Sequence, residues 1–204
     1  MTGGPRPPEA ELFADMFRTR KRVFIDLLGW DVPVLEGQYE IDQFDSGRAI
    51  YLIIAEPDGR HRGSMRLLPT TEPNILGSIF PFLCEGDPPC SPDIWEISRF
   101  CLSPRLRANE RRIVRDELVS SAVDFALLHG ISAYACVADA SWLSQILSFG
   151  WHCEPLGLPQ ALDCGLTGAL QIFVSPATPK LMRAAATYRS TTMQIFDLAS
   201  KVAA

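Results

Sequence analysis

The nine residues Ile94-Trp95-Glu96-Ile97-Ser98-Arg99-Phe100-Cys101-Leu102 constrain this chain more than any other stretch. Isoleucines, aromatics and leucine make it a strand through a core, and the turn signal Ser103-Pro104 closes it. Yet Glu96, Ser98 and Arg99 stand in its middle. Charge inside a protein is costly to desolvate unless it is paired or faces something polar, so the stretch is either part of a buried ion network or one wall of a polar site. In a regular strand Glu96 and Arg99, an odd number of residues apart, face opposite sides. A shared site therefore requires a β-bulge or splay between Ile97 and Phe100.

The rest of the chain supplies elements around this strand. Glu9 to Leu28 reads as a helix with Phe13, Met16, Phe17, Phe24, Leu27 and Leu28 on one stripe, stopped by Gly29. Arg20 falls on that stripe, and its guanidinium either reaches out to water along the core edge or turns toward a site on the inner side. Trp30 to Gln38 reads as a loop. Tyr39 to Asp45 interleaves Glu40, Asp42 and Asp45 with apolar residues, as an exposed strand does, and the two-residue period puts Glu40 and Asp42 on one face. The apolar run Ala49 to Glu56 has the pattern of a strand covered on both sides. Pro57-Asp58-Gly59 turns it into a partner, Arg62 to Leu68, which carries Arg66. The proline-rich Pro69 to Pro92 segment predicts a lobe or short helix over the sheet.

Asn109 to His129 is an amphipathic helix with Ile113, Leu118, Val119, Val123, Phe125, Ala126 and Leu127 inward, stopped by Gly130. Ile131 to Val137 and Ala169 to Ser175 follow as strands, with a short helix, Ala140 to Phe149, capped by Asp139 between them. A last helix runs from about Pro179 to Ser200. A meander of strands followed by strands alternating with helices implies an α/β fold, an α/β/α sandwich with a mixed central sheet. Residues 1–10, rich in Gly and Pro, are expected to be a disordered leader to a single domain, 11–204.

Several function classes are set aside by what the chain lacks. A net charge of −5 offers no electrostatic basis for a nucleic-acid partner. No apolar run approaches the roughly eighteen residues of a membrane span, and the leader has no apolar h-region, so the expected location is the cytoplasm. Cys84, Cys90, Cys101, Cys136, Cys153 and Cys164 form no C-x-x-C pair, and His61, His129 and His152 share no metal spacing. Reduced thiols and no metal follow, with a Cys84 to Cys90 disulfide as the alternative. The P-loop, G-x-S-x-G and G-x-G-x-x-G motifs are absent, against nucleotide-phosphate, hydrolase and dinucleotide chemistry.

One pattern joins the scattered charges: Arg20, Phe24 and Trp30 as R-x3-F-x5-W; Glu40, Asp42 and Asp45 as E-x-D-x2-D; Arg66 alone in its strand; and Glu96, Ser98 and Arg99 as E-x-S-R. With Asp42-Gln43-Phe44-Asp45 and Arg66-Leu67-Leu68-Pro69-Thr70-Thr71, it resembles the acyl-homoserine lactone synthases, the autoinducer synthases of bacterial quorum sensing, over roughly Phe17 to Val174. The resemblance implies a GNAT-like fold and a two-step reaction. The α-amine of S-adenosylmethionine attacks an acyl thioester, and the methionyl carboxylate then closes on its own γ-carbon and expels methylthioadenosine. Both reactants are substrates, and no cofactor is implied.

A sulfonium and an amine call for carboxylates, and a carboxylate calls for arginine. The resemblance accordingly assigns Glu40, Asp42 and Asp45 to the cationic substrate and Arg20, Arg66 and Arg99 to its carboxylate and to orienting the set. Phe24 and Trp30 form an adenine or sulfonium wall, Phe100 joins the S-adenosylmethionine side, and Phe82, Cys136 and Trp142 belong to the acyl pocket. The amine is protonated near neutral pH and needs a base, for which Glu96, directly or through a water, is the candidate, with Ser98 and Arg99 beside it. Backbone amides on a splayed strand would hold the oxyanion. A charge network that only fixes the fold is the bland alternative, but one drawn from four segments exceeds what stability asks.

The acyl donor is the least determined feature. Helix 140–149 has no Lys or Arg to meet an acidic carrier protein, whereas Arg105, Arg107, Arg111, Arg112 and Arg115 form a basic cluster, either a solvated helix face or a dock for carrier protein or coenzyme A phosphates. Ser103 to Ala108 contains no glycine, unlike the pyrophosphate loop of ordinary GNAT enzymes. Trp142-Leu143, Gly150-Trp151 and Pro155 to Gln160 resemble the family branch that uses aryl- or branched-chain acyl-CoA. Trp142 is either a core aromatic or a pocket wall that shortens the cavity. No threonine lies between Ile131 and Ser141, where relatives preferring 3-oxo chains carry one, so the acyl group is expected to be unsubstituted and short, branched or aromatic. Two other classes remain in view: a generic GNAT-type N-acyltransferase, and a non-catalytic acyl- or S-adenosylmethionine-binding module.

Overall fold

The computed structural model describes residues 9–162 and 165–194, so the expected leader and Cys164 lie largely or wholly outside the described residues. Helix α1 (Glu9–Arg20) runs without a break into a π-helical turn, Lys21–Leu27. The wider turn swings Leu27 and Leu28 off the apolar stripe, and they are exposed where a regular helix would bury them. A small hairpin of β1 (Val34–Leu35) and β2 (Tyr39–Glu40) follows, within what the sequence marked as loop and longer strand.

The main sheet is built from β3 (Ile50–Ala55), β4 (His61–Pro69), β5 (Ile94–Leu102), β6 (Ala133–Asp139), β7 (His152–Pro155), β8 (Gln160–Leu162) and β9 (Gly165–Phe173). Its order is β3-β4-β5-β6-β9-β7, with β8 also on β9. The β5–β6 pair is parallel and every other pair is antiparallel, giving the mixed sheet expected. Strand β3 is an edge strand, not a doubly covered central one; its apolar run is only half-buried. Neither β7 nor β8 was legible in the sequence, because each is short and turn-rich.

Long helix α3 (Ala108–His129) covers one face and ends at Gly130 in the left-handed conformation. Val114, Leu118, Ala122, Val123 and Ala126 are fully buried against Met65, Leu67, Tyr134 and Ile172, while Leu127 is exposed. Helices α4 (Ala140–Ser148), capped by Asp139, and α5 (Thr178–Ala184) join it on that face. Burying each of the larger aliphatic side chains among them contributes about 1.5–3 kcal/mol and makes this layer the main core. The opposite face carries α1, the turn at 42–45, and a lobe formed by α2 (Ile75–Ser78) and a 3-10 turn (Pro81–Leu83). Helices on both faces complete the α/β/α sandwich.

The C-terminal helix is shorter than its periodicity suggested. Ala186 adopts φ 56°, and the chain beyond it is held extended on α3: Tyr188 donates to Asp124 (2.8 Å), Thr191 to Asp124 (3.2 Å) and the Arg189 amide to Ser120 Oγ (2.9 Å). Residues 195–200 of the expected helix lie outside the described residues. No helix among the described residues is long and apolar enough to cross a membrane.

Candidate active site

Two distortions of β5 create the site. Pairing with β4 passes from Arg66↔Ser98 to Ser64↔Cys101, so Arg99 and Phe100 together face the single residue Met65. This is a β-bulge where the charges require one, and Arg99 takes φ 51°, a left-handed conformation that costs a non-glycine residue roughly 1–2 kcal/mol. On the other edge, β5 pairs with β6 only from Ile94↔Ala133 to Ile97↔Cys136, although both strands run on to Leu102 and Asp139. Beyond Ile97 the two strands make no further ladder pairs and part.

The bulge turns Arg99 onto the face of β5 that also bears Glu96 and Ser98, where α1 and the 42–45 turn meet it. Arg99 Nε donates to Glu40 Oε1 (3.0 Å) and Nη2 to Asp42 Oδ2 (2.7 Å). Arg20 does not reach for water: it is 1% exposed and donates to Glu40 Oε2 (2.5 Å) and, through both Nη atoms, to Asp45 (2.8 and 2.9 Å). Arg66 grips Asp42 through both Nη atoms (2.6 and 3.1 Å), pairs with Asp45 (2.9 Å) and donates from Nε to Ser98 Oγ (3.1 Å). Three arginines and three carboxylates thus close one neutral network.

The acids reach it by a turn, not by strand alternation. Asp42 Oδ1 accepts the Phe44 amide, Asp45 Oδ2 accepts the Asp42 amide, and the Asp45 amide donates back to the Asp42 carbonyl. Burial alone would raise the Asp45 carboxyl, but the hydrogen bonds and field of Arg20, with Arg66, hold it well below the usual carboxylate range. Burial likewise opposes the charge on Arg20, and Asp45 and Glu40 outweigh it to lift the guanidinium's pKa. Tyr51, absent from the sequence candidates, donates to Asp45 Oδ1 (2.7 Å) from its place opposite Arg66 in the β3–β4 ladder. That cross-strand position was the one signal for it.

Phe24 and Trp30 stack with ring centroids 4.8 Å apart, and the Arg99 guanidinium lies 5.7 and 6.0 Å from the two rings. The π-helical turn is what brings them together, since it lets the Trp30 amide reach back to the Phe24 carbonyl (2.8 Å). Among the three network arginines Arg99 is the most open, with 10% of its side chain exposed against 1% for Arg20 and 0% for Arg66.

Glu96 is 1% exposed and accepts the amides of Ile75 (3.1 Å) and Leu76 (2.6 Å) at the start of α2. Burial pushes its carboxyl up to about 7, only partly countered by those amides and by Arg66 and Arg99. It therefore sits beside the network without belonging to it.

Of the acyl-side candidates, Cys136 and Trp142 share one apolar cluster. Phe100, grouped with the S-adenosylmethionine residues, lies instead on the α3 side with Trp142, ring centroids 4.7 Å apart. This is the geometric result of the bulge, which sends Arg99 and its neighbour to opposite faces. Cys136 is buried in the same apolar cluster, whereas Phe82 is half-exposed on the other face against Phe80. Cys84 and Cys90 are both free. At the start of α3, Glu110 accepts the amide of Arg107, the residue preceding the helix (2.8 Å).

Comparison with known proteins identifies the family. Residues 8–175 match the family model described as autoinducer synthase. The chain is 45% identical over 151 residues to an acyl-homoserine-lactone synthase of Acinetobacter baumannii, covering 71% of this chain and 82% of that one. It is 40% identical over 147 residues to another from Rhizobium etli, covering 71% and 69%. Among solved structures, MesI, described as a CoA-dependent acyl-homoserine lactone synthase, superposes with a TM-score of 0.78 at 27% identity, covering 89% of this chain and 91% of its own. FeeM, an N-acyl amino acid synthase, shares the fold alone, with a TM-score of 0.60 at 12% identity over 89% and 96% of the two chains. A chain whose strands part beside a neutral arginine–carboxylate network, and whose relatives carry that name over most of its length, belongs to the autoinducer synthase family and is an acyl-homoserine-lactone synthase.

Proposed function

We propose that, where β5 and β6 part, the enzyme transfers the acyl group of a thioester to the amine of S-adenosylmethionine with release of the free thiol, then closes the N-acyl-homoserine lactone and releases methylthioadenosine. The observation that carries this reading is the parting of β5 from β6 beyond Ile97, with the Arg99 network on one side of β5 and the Phe100–Trp142 pair on the other. Main-chain groups on the facing edges of the two strands are free of sheet partners there and suit an oxyanion formed at the thioester carbonyl.

S-adenosylmethionine enters on the network side. Arg99, the most open of the three arginines, takes its carboxylate, and the Phe24–Trp30 stack offers aromatic faces to the sulfonium or adenine. Arg20, Arg66, Asp45 and Ser98 fix the geometry of Glu40, Asp42 and Arg99. Glu96 takes the amine proton, directly or through a water; a carboxyl with a pKa of about 7 is well matched to that transfer near neutral pH. The acyl group lies toward Phe100 and Trp142, whose contact supports a short, branched or flat chain, and the description of MesI favours acyl-CoA over acyl carrier protein.

The test incubates the protein with S-adenosylmethionine and a panel of acyl-CoAs and acyl carrier proteins, following methylthioadenosine and lactone by mass spectrometry. Lactone with short or branched acyl-CoA is the expected result. Free CoA without methylthioadenosine would identify a plain N-acyltransferase, and saturable binding without turnover a binding module.

A further inference from the structure

Asp45 is the most heavily bonded acid in the network. Its two oxygens receive both Nη atoms of Arg20, the Asp42 amide, the ion pair from Arg66 and the Tyr51 hydroxyl, and its side chain is 1% exposed. A carboxylate offers about four acceptor positions, so Asp45 has none left for a substrate. Its work is to tie Arg20 of α1 to Arg66 of β4, and Arg66 in turn holds Asp42 against Arg99.

Tyr51 is the one uncharged side chain in that set of donors. Its ring is clamped edge-on by Phe13 (5.4 Å) and Phe17 (6.1 Å), so its hydroxyl has little freedom to leave Asp45. Burial, with the charge of Asp45, raises the phenol's pKa and keeps it a donor. Without the hydroxyl, Asp45 stays ionised by Arg20 and Arg66, but its Oδ1 keeps only the two arginine donors of the three it has.

We propose that Tyr51 is a positioning residue for S-adenosylmethionine, acting through Asp45 and Arg66 to hold Asp42 and Arg99 in register with the substrate. The proposal rests on the reading of this network as the S-adenosylmethionine site. Hydrogen bonds to charged groups are among the stronger ones, and here the bond sits two links from the substrate contact, so part of its strength reaches the site.

The experiment compares Tyr51→Phe with the wild-type enzyme and with Tyr188→Phe, which removes an equivalent phenol-to-carboxylate bond, to Asp124, on the opposite face. Tyr51→Phe is expected to raise the KM for S-adenosylmethionine about tenfold, the equivalent of about 1.4 kcal/mol, with the KM for the acyl thioester unchanged. Tyr188→Phe is expected to lower the thermal midpoint as much as Tyr51→Phe does and to leave both KM values alone. In an Asp45→Asn background, adding Tyr51→Phe should have no further effect on KM. A KM for S-adenosylmethionine within about twofold of wild type, an equal rise in both KM values, or additive effects with Asp45→Asn would overturn the proposal and leave the proposed reaction standing. A wild-type enzyme that neither binds S-adenosylmethionine in calorimetry nor releases methylthioadenosine would overturn the reading beneath it.

Discussion

Arg20, Arg66 and Arg99 are matched in number by Glu40, Asp42 and Asp45, so the network is neutral before any substrate arrives. Its members divide by exposure into those that support and those that meet the ligand. Removing one partner of a buried pair leaves an uncompensated charge and costs about 3–5 kcal/mol, and Arg20→Ala is expected to lose that much in urea unfolding. Arg99→Ala, at the open edge, should lose less stability and more activity. Glu96 behaves oppositely to Asp45 on the pH axis. Its folded pKa, about 7, lies above its ordinary value of 4.5, so the folded state favours the neutral acid. That contribution is fully present below pH 4.5 and is lost as pH rises through 7, a span worth on the order of 3 kcal/mol. Glu96→Gln should therefore flatten the fall in stability between those pH values, a difference that unfolding curves at pH 4.5 and 8 would read. The same variant should lower kcat far more than it raises KM; a folded Glu96→Gln enzyme with the wild-type rate would remove Glu96 as base.

The bulge in β5 is the element on which the site turns, and it can be tested apart from the chemistry. At φ 51°, Arg99 pays a steric penalty that glycine does not, so Arg99→Gly should be more stable than Arg99→Ala by about 1 kcal/mol, although both lose the guanidinium. Equal stabilities would mean that the neighbouring ladder, not the residue's conformation, governs this stretch. The need for this bulge was legible in the sequence because Glu96 and Arg99 are an odd step apart in an apolar strand. The major helices and paired strands were legible for a similar reason: period and boundary residue agree, with Gly29 and Gly130 ending helices and Asp139 capping the start of one. What escaped notice was set by contacts between distant segments. The 42–45 turn looks like a strand because its acids alternate with apolar residues, and only the arginines waiting from α1, β4 and β5 make the turn worthwhile. Residues 185–194 keep helical composition but yield to Asp116, Ser120 and Asp124 on α3. Phe100 lies on the face away from the network because a bulge reverses the sidedness of the next residue, which strand parity alone does not show.

At the scale of the whole molecule the sheet separates two chemistries. One face is apolar beneath α3, the other holds charge beneath α1, and β5 parts from β6 beyond Ile97. In the proposed reaction an amine donor from the charged side and an acyl donor from the apolar side meet there. The chain carries a net charge of −5, so an acyl donor that is itself anionic, whether by coenzyme A phosphates or by carrier-protein acids, is repelled overall and needs a local attraction. Arg105, Arg107, Arg111 and Arg112 are exposed around the start of α3, the only dense basic patch near the C-terminal end of β5 among the described residues, and Arg115 is partly so. These exposed guanidinium groups are positioned to meet phosphate or carboxylate. The two substrates should then respond differently to salt. Exposed charges are screened within about 10 Å at 0.1 M ionic strength and about 3 Å at 1 M, whereas the buried network is shielded by protein. Raising ionic strength from about 0.05 to 0.5 M should lower kcat/KM for the acyl donor several-fold and leave that for S-adenosylmethionine nearly unchanged. Arg107→Glu combined with Arg111→Glu should abolish the salt response of the acyl donor without moving the KM of S-adenosylmethionine; a salt response that survives this reversal would place the attraction elsewhere on the surface.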